Sequence, residues 1–177
     1  MTGTPSLRKV ASNPSTWRRR LPIVAIALLD FVIAGYLALY QAGVLQTVWD
    51  PVFGTQSQAV LESEISKAFQ RWLHFPDAGL GAVAYLAETV LGLIGSTRRW
   101  RTLPWLVMLF GLNAAAVTLV GLALIVVQAA IVNAWCLLCI ATAVLSLVMF
   151  LMTWPEVRLS LAVIGSSRKP EPPKRSE

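Results

Sequence analysis

Cys136 and Cys139 are the only thiols in the 177-residue chain, and they stand three apart in Trp135-Cys136-Leu137-Leu138-Cys139. On a helix, positions i and i+3 share a face, and that spacing can bring two Cα atoms into the range a disulfide tolerates. A close pair of this kind reads as a redox or metal site. A helix starting near Cys136 favours a thiolate there through its macrodipole, while burial in lipid opposes it. The spacing therefore predicts inequivalent thiols. Cys136 is expected nearer water, suited to exchange with incoming thiols. Cys139 is expected one turn deeper, suited to a membrane-dissolved oxidant. Two other readings stand beside this one. Both cysteines can be inert small apolar residues. A closed zinc site lacks ligands, since His74 is the sole histidine, which leaves Cu(I) held by thiolate with Met108, Met149 or Met152 as the metal alternative. No metal is assigned.

The elements that must hold this pair are read from composition. The chain is 56% hydrophobic and only 14% charged, against roughly half and a quarter in soluble domains. The solvent this implies is lipid. A spanning helix needs about 20 mainly apolar residues, and four runs qualify: Leu21 to Tyr40, Ala78 to Gly95, Leu103 to Val127 and Ile131 to Trp154. None alternates as a strand would. The first run follows basic residues as a signal peptide does, but it lacks a small-x-small cleavage site and reads as a retained helix. The expected fold is all-α: an integral membrane four-helix bundle with an amphipathic helix of the outer loop covering one end. The membrane domain is expected over residues 17–158. A cytoplasmic tail is expected over 159–177, and residues 1–16 and the Pro-, Ser- and Lys-rich stretch Gly165 to Glu177 have the composition of disordered segments.

Charge orients the bundle. Arg8, Lys9, Arg18, Arg19 and Arg20 precede the first run, Arg98, Arg99 and Arg101 lie between the second and third, and Arg158, Arg168, Lys169, Lys174 and Arg175 follow the fourth. That leaves only Lys67 and Arg71 of the 15 basic residues for the other side. The positive-inside rule then puts both termini in the cytoplasm. The net charge of +6 is accounted for by topology, and no nucleic-acid partner is required. All seven tryptophans fall at or near the ends of the runs, where amphipathic rings favour the interface.

Within the expected outer loop, Gln46 to Asp77, the residues Leu61, Ile65, Ala68, Phe69 and Trp72 recur at helical spacing. Thr55 and Gln58 offer a capping box. This helix is expected to lie on the end of the bundle with its apolar side down, either as a plain cover or as a lid that excludes water. Asp30 and Glu88 fall near the middle of their runs, where an unpaired charge costs at least a few kcal/mol. They are expected to face the interior, as interhelical glue or as a proton relay. Asn113 reads as packing, His74 as a surface residue, and Gly35, Gly79, Gly81 and Gly92 as sites of close helix approach.

The segment Trp135-Cys136-Leu137-Leu138-Cys139-Ile140-Ala141-Thr142, opening the last of four spans, resembles the active-site segment of the vitamin K epoxide reductase family. Phe75-Pro76-Asp77-Ala78-Gly79-Leu80-Gly81 resembles its loop-to-second-helix junction, and Ala34-Gly35-Tyr36-Leu37 fits its first span. The resemblance covers Leu21 to Trp154 and is to the bacterial type. It implies a four-helix bundle around a quinone, menaquinone or ubiquinone, and a thiol:quinone oxidoreductase of the bacterial inner membrane. Electrons would pass from a thioredoxin-like or other extracytoplasmic thiol protein through Cys136, then Cys139, to the quinone, generating disulfides. Ser66 and Thr142 would lie in the quinone pocket. Two departures are visible. Family members usually carry a second cysteine pair in the first outer loop, and this loop has none. Vitamin-K-reducing members have a tyrosine where Ala143 stands. The rival expectation is a membrane interaction protein, derived from the family, that has lost catalysis.

Overall fold

In the long apolar runs the backbone polar groups close on themselves as helices, as lipid requires, even where Pro22, Pro155 or a glycine falls inside the run. The computed structural model describes residues 15–167, and among these there is no strand. Seven α-helices follow in order: α1 Trp17–Gln41, α2 Gln56–Leu61, α3 Glu64–Leu73, α4 Asp77–Leu93, α5 Arg99–Thr102, α6 Pro104–Val127 and α7 Leu137–Ser167. A π-helical turn, Gln128–Val132, extends α6. The helices α1, α4, α6 and α7 form the bundle, with α1 against α4 and α7, and α6 against α7 and α4. The expected disorder of residues 1–14 and 168–177 lies outside the described residues.

Three helical stretches are long and apolar enough to cross a membrane: Trp17–Gln41, Pro104–Val132 and Leu137–Gly165. The fourth expected run is shorter. α4 has 17 residues, about 25 Å at 1.5 Å per residue. It stops where Gly95 turns the chain at φ +91°. The last run also moves. Asn133, in the left-handed conformation, ends the π turn, so α7 begins at Leu137 rather than near Ile131. It then continues to Ser167, through the start of the expected tail.

Small residues let the helices meet. A Cβ on Gly111 would lie 2.4 Å from Val157 Cγ2, one on Gly92 2.7 Å from Val24 Cγ2, and one on Gly121 3.3 Å from the Ala143 backbone. Of the glycines expected to do this, Gly92 does so. Gly79 instead accommodates the Phe75 ring, Gly81 has only ordinary contacts, and Gly35 has nothing within 4 Å.

The two ends of the bundle differ in chemistry. At the end bearing α5, Arg99 is fully buried and grips Glu156 twice, Nε to Oε1 at 2.7 Å and Nη2 to Oε2 at 2.9 Å. Its other nitrogen donates to the Leu91 and Ile94 carbonyls, and Arg20 donates to those of Gly92, Ile94 and Gly95. Two guanidiniums thus satisfy the orphan carbonyls that every helix C-terminus leaves, while Glu156 neutralises one of them. The opposite end carries the disulfide, the loop after α1, and α2 and α3.

The outer-loop helix differs from expectation in two ways. It is split: Ser63 caps α3 by accepting the Ser66 N–H at 3.3 Å, and Thr55 makes no side-chain cap. It is also turned over. Phe69 and Trp72 point outward, 50% and 77% exposed, whereas Ser66 is buried. The reason is polar: the Ser66 hydroxyl accepts from Gln41 Nε2 at 3.0 Å and from Gln70 at 3.4 Å, and Gln41 also donates to Asp77. These bonds fix which face of α3 meets the bundle.

Candidate thiol-disulfide site

Cys136 and Cys139 are joined as a disulfide, with Cα atoms 5.3 Å apart. Cys136 occupies the cap position of α7. Its carbonyl accepts the Ile140 N–H at 3.0 Å, and its sulfur accepts the Cys139 N–H at 3.2 Å. That N–H belongs to the first turn of α7, so the positive end of the helix points at the Cys136 sulfur and favours its thiolate whenever the bond is opened.

The two cysteines differ in how far the protein itself covers them. Cys136 is fully buried, whereas Cys139 is only partly so. The cause is the loop after α1, which lies across the start of α7. Asp50 Oδ2 accepts the Leu137 N–H at 3.0 Å, Gln56 Oε1 accepts the Trp135 N–H at 3.2 Å, and Gln128 Oε1, from the π turn, accepts the Cys136 N–H at 3.1 Å. Three side chains from two segments therefore take the backbone donors on either side of the first sulfur. The loop itself is pinned to α1 by the Trp49 N–H, which donates to the Tyr36 hydroxyl at 2.8 Å.

Asp50 is the centre of this arrangement. Burial alone pushes its carboxyl up. The Phe53 N–H at 2.8 Å, the Ser57 hydroxyl, the Leu137 N–H and the Val52 N–H at 2.9 Å outweigh that and hold it at about 2. A carboxylate accepting several N–H bonds behaves this way. Asp50, Gln56 and Gln128 were not singled out as site residues from the sequence. The one local signal was the turn-forming Asp50-Pro51, which says nothing about a helix 87 residues away.

Cys139 faces apolar surroundings. It packs on a cluster of Leu37, Val48 and Leu61 with Ile33, Tyr36, Tyr40, Ala78 and Leu138. An open recess of about 350 Å³ adjoins the cluster through Tyr40 and Leu61 and includes Gln41 and Gln46. Thr142 lies one turn below, its hydroxyl donating to the Cys139 carbonyl at 3.0 Å. The sequence profile of the vitamin K epoxide reductase family matches residues 21–154, a stretch holding the bundle, the loop and both cysteines. The chain belongs to that family. No curated protein matches it.

Members of the vitamin K epoxide reductase family are in general quinone-linked thiol oxidoreductases. A quinone is flat, largely apolar and carries two acceptor oxygens. The residues around Cys139 suit such a group: a mostly aliphatic wall, the Tyr36 and Tyr40 rings, and the Gln41 amide and Thr142 hydroxyl at its edges. The other residues named from the sequence fall elsewhere. Ser66, on α3, accepts from Gln41 of α1 beside the recess and is not among the residues of the cluster on which Cys139 packs. Met149 packs in the mid-bundle core with Ile23, Ala27 and Phe110, separate from the cluster around Cys139. Asp30 and Glu88 are fully buried in mid-bundle. Glu88 accepts from Asn113 Nδ2 at 2.6 Å, so Asn113 is a hydrogen-bonding partner and not mere packing. His74 is exposed, in a left-handed turn that ends α3.

Proposed function

We propose that this protein is a membrane thiol:quinone oxidoreductase that passes electrons from extracytoplasmic protein thiols through Cys136 and Cys139 to a membrane quinone, and so generates disulfides. The observation that carries the reading is the disulfide at the head of α7, with one sulfur capped by a helical N–H and the other on an apolar cluster beside the recess. The excess of basic residues at the opposite end supports cytoplasmic termini and four spans, with α4 as the short one.

The sulfurs divide the work. A donor thiolate attacks Cys136 Sγ, the S–S bond breaks, and Cys139 leaves as a thiolate. A second donor thiolate attacks the mixed disulfide, releasing oxidised donor and the Cys136 thiolate. The Cys139 N–H steadies that thiolate until it closes again on Cys139, giving up two electrons. When bound, a quinone supplies the acceptor for two electrons and two protons. Because Cys136 lies under Asp50 and Gln56, donor entry requires the loop to lift. The loop is then a lid in the functional sense. With no loop cysteines to shuttle electrons, the donor's own sulfur must reach Cys136.

Single-cysteine variants test this. In Cys139→Ser, Cys136 primed as a mixed disulfide with an aryl thiol should be attacked by a thioredoxin-like donor that keeps only its attacking cysteine, which expels the aryl thiolate and leaves a stable donor–Cys136 disulfide, resolved by gel shift under non-reducing conditions. Trapping only by Cys136→Ser reverses the assigned order. Intact function in both variants favours the non-catalytic rival.

A further inference from the structure

The interior of the bundle holds two carboxyls that the disulfide chemistry leaves unused. Asp30 and Glu88 are 0% exposed, and both oxygens of Asp30 and one of Glu88 have no hydrogen-bond partner among the described residues. An unpaired carboxylate at that depth costs at least a few kcal/mol. Each group is far cheaper as a neutral acid. The groups around them, helix by helix, are Tyr85 on α4, Asn113 on α6, Ser146 on α7 and, toward the far end, Arg99. None but Arg99 is a cation.

Their position is asymmetric. Glu88 lies 11 residues from the start of α4 at Asp77, about 16 Å along the axis. It lies less than one helical turn from Leu91, whose carbonyl is held by Arg99. At the disulfide end, buried apolar residues, Leu37, Val48 and Leu61, pack around Cys139. Toward the sulfurs there is a hydroxyl ladder: Tyr85 to Ser146 at 2.8 Å, with Thr142 also in reach of Tyr85 and bonded to the Cys139 carbonyl.

We propose that Asp30 and Glu88 are a two-proton store that serves the reaction at Cys139 and is refilled from the end of the bundle opposite the disulfide, past Glu156 and Arg99. This rests on the function proposed above. The balance is as follows. Two donor S–H bonds break and one donor S–S bond forms, and the two protons stay in the water at the disulfide end. Two electrons leave through Cys136 and Cys139. The two O–H bonds of the quinol are made with the protons of Asp30 and Glu88, and both carboxylates regain a proton from the opposite side. Each disulfide made therefore moves two charges across the membrane.

The test uses the full chain in sealed vesicles, with a charged, membrane-impermeant dithiol peptide outside, a short-chain ubiquinone in the bilayer and a pH dye trapped inside. The dithiol addresses only molecules with the disulfide end outward. The interior should turn alkaline by two protons per disulfide formed, and a protonophore should abolish the change. Asp30→Asn and Glu88→Gln should each slow quinone reduction at least tenfold and leave exchange with the peptide unchanged. A second readout needs no quinone: the infrared carbonyl band of protonated carboxyls, shifted in D2O, should be present in the resting protein and weakened in each variant. Turnover without interior alkalinisation, variants with normal rates, or a missing band overturns the proton store and leaves the thiol:quinone reading standing. No quinone turnover in the wild type overturns that reading, and this proposal with it.

Discussion

At the residue scale, Asp50 connects the loop after α1 to the disulfide-bearing helix more directly than any other side chain. Its charge holds three backbone N–H groups and a hydroxyl. Bonds to a charged acceptor are worth about 1.5–3 kcal/mol each. Asp50→Asn should therefore lower the thermal midpoint and speed amide exchange at Leu137. It should also let a small thiol reduce the buried disulfide severalfold faster. The pH dependence has a definite sign. A carboxyl held at about 2 stabilises the fold fully above the ordinary carboxylate value, and that contribution is lost as pH falls from there through about 2. The protection factor at Leu137, with the intrinsic pH dependence of amide exchange divided out, should fall across that acid range in the wild type and stay flat in Asp50→Asn. The sequence could show the cysteine spacing because i and i+3 is a local fact. It could not show Asp50, Gln56 or Gln128, whose role depends on contacts between segments far apart in the chain. Nor could it show that Cys136 is the buried sulfur, because the cover comes from the loop.

At the scale of elements, two features decide where helices begin and end. Ser63 is the working cap of α3, and Ser63→Ala should cost about 1 kcal/mol, seen as fraying of α3 by hydrogen exchange. At the far end, Arg99 and Glu156 tie α5 to α7 in a buried pair. Removing one partner of such a pair costs about 3–5 kcal/mol, so Glu156→Gln should lower the unfolding midpoint in detergent sharply. Replacing both Arg99 and Glu156 by Met should recover part of that loss. The helical runs themselves were legible, since length and apolar content fix them. Their ends were less so. The expected α7 start near Ile131 fails because Asn133 adopts a left-handed turn, and α4 stops early because Gly95 turns the chain, leaving its last carbonyls to two arginines. The orientation of α3 was misread for a related reason. Hydropathy alone points Phe69 and Trp72 inward, but the Gln41–Ser66 bonds put the other face against the bundle.

At the scale of the whole molecule, chemistry is divided between two ends: a disulfide under a polar lid at one, a guanidinium–carboxylate clamp at the other, and buried carboxyls between. Family and all-helical class were both readable from the chain, because one rests on the cysteine segment in its helical context and the other on hydropathy. The measurement that bears most directly on the account is the redox state of the pair. The purified protein is reduced, freed of reductant, and mixed with a short-chain quinone, and thiols remaining at set times are trapped with an alkylating reagent. The account predicts that both thiols vanish together, with one quinone consumed for each disulfide formed. Thiols that persist in excess quinone, in a protein whose fold is intact, would contradict it.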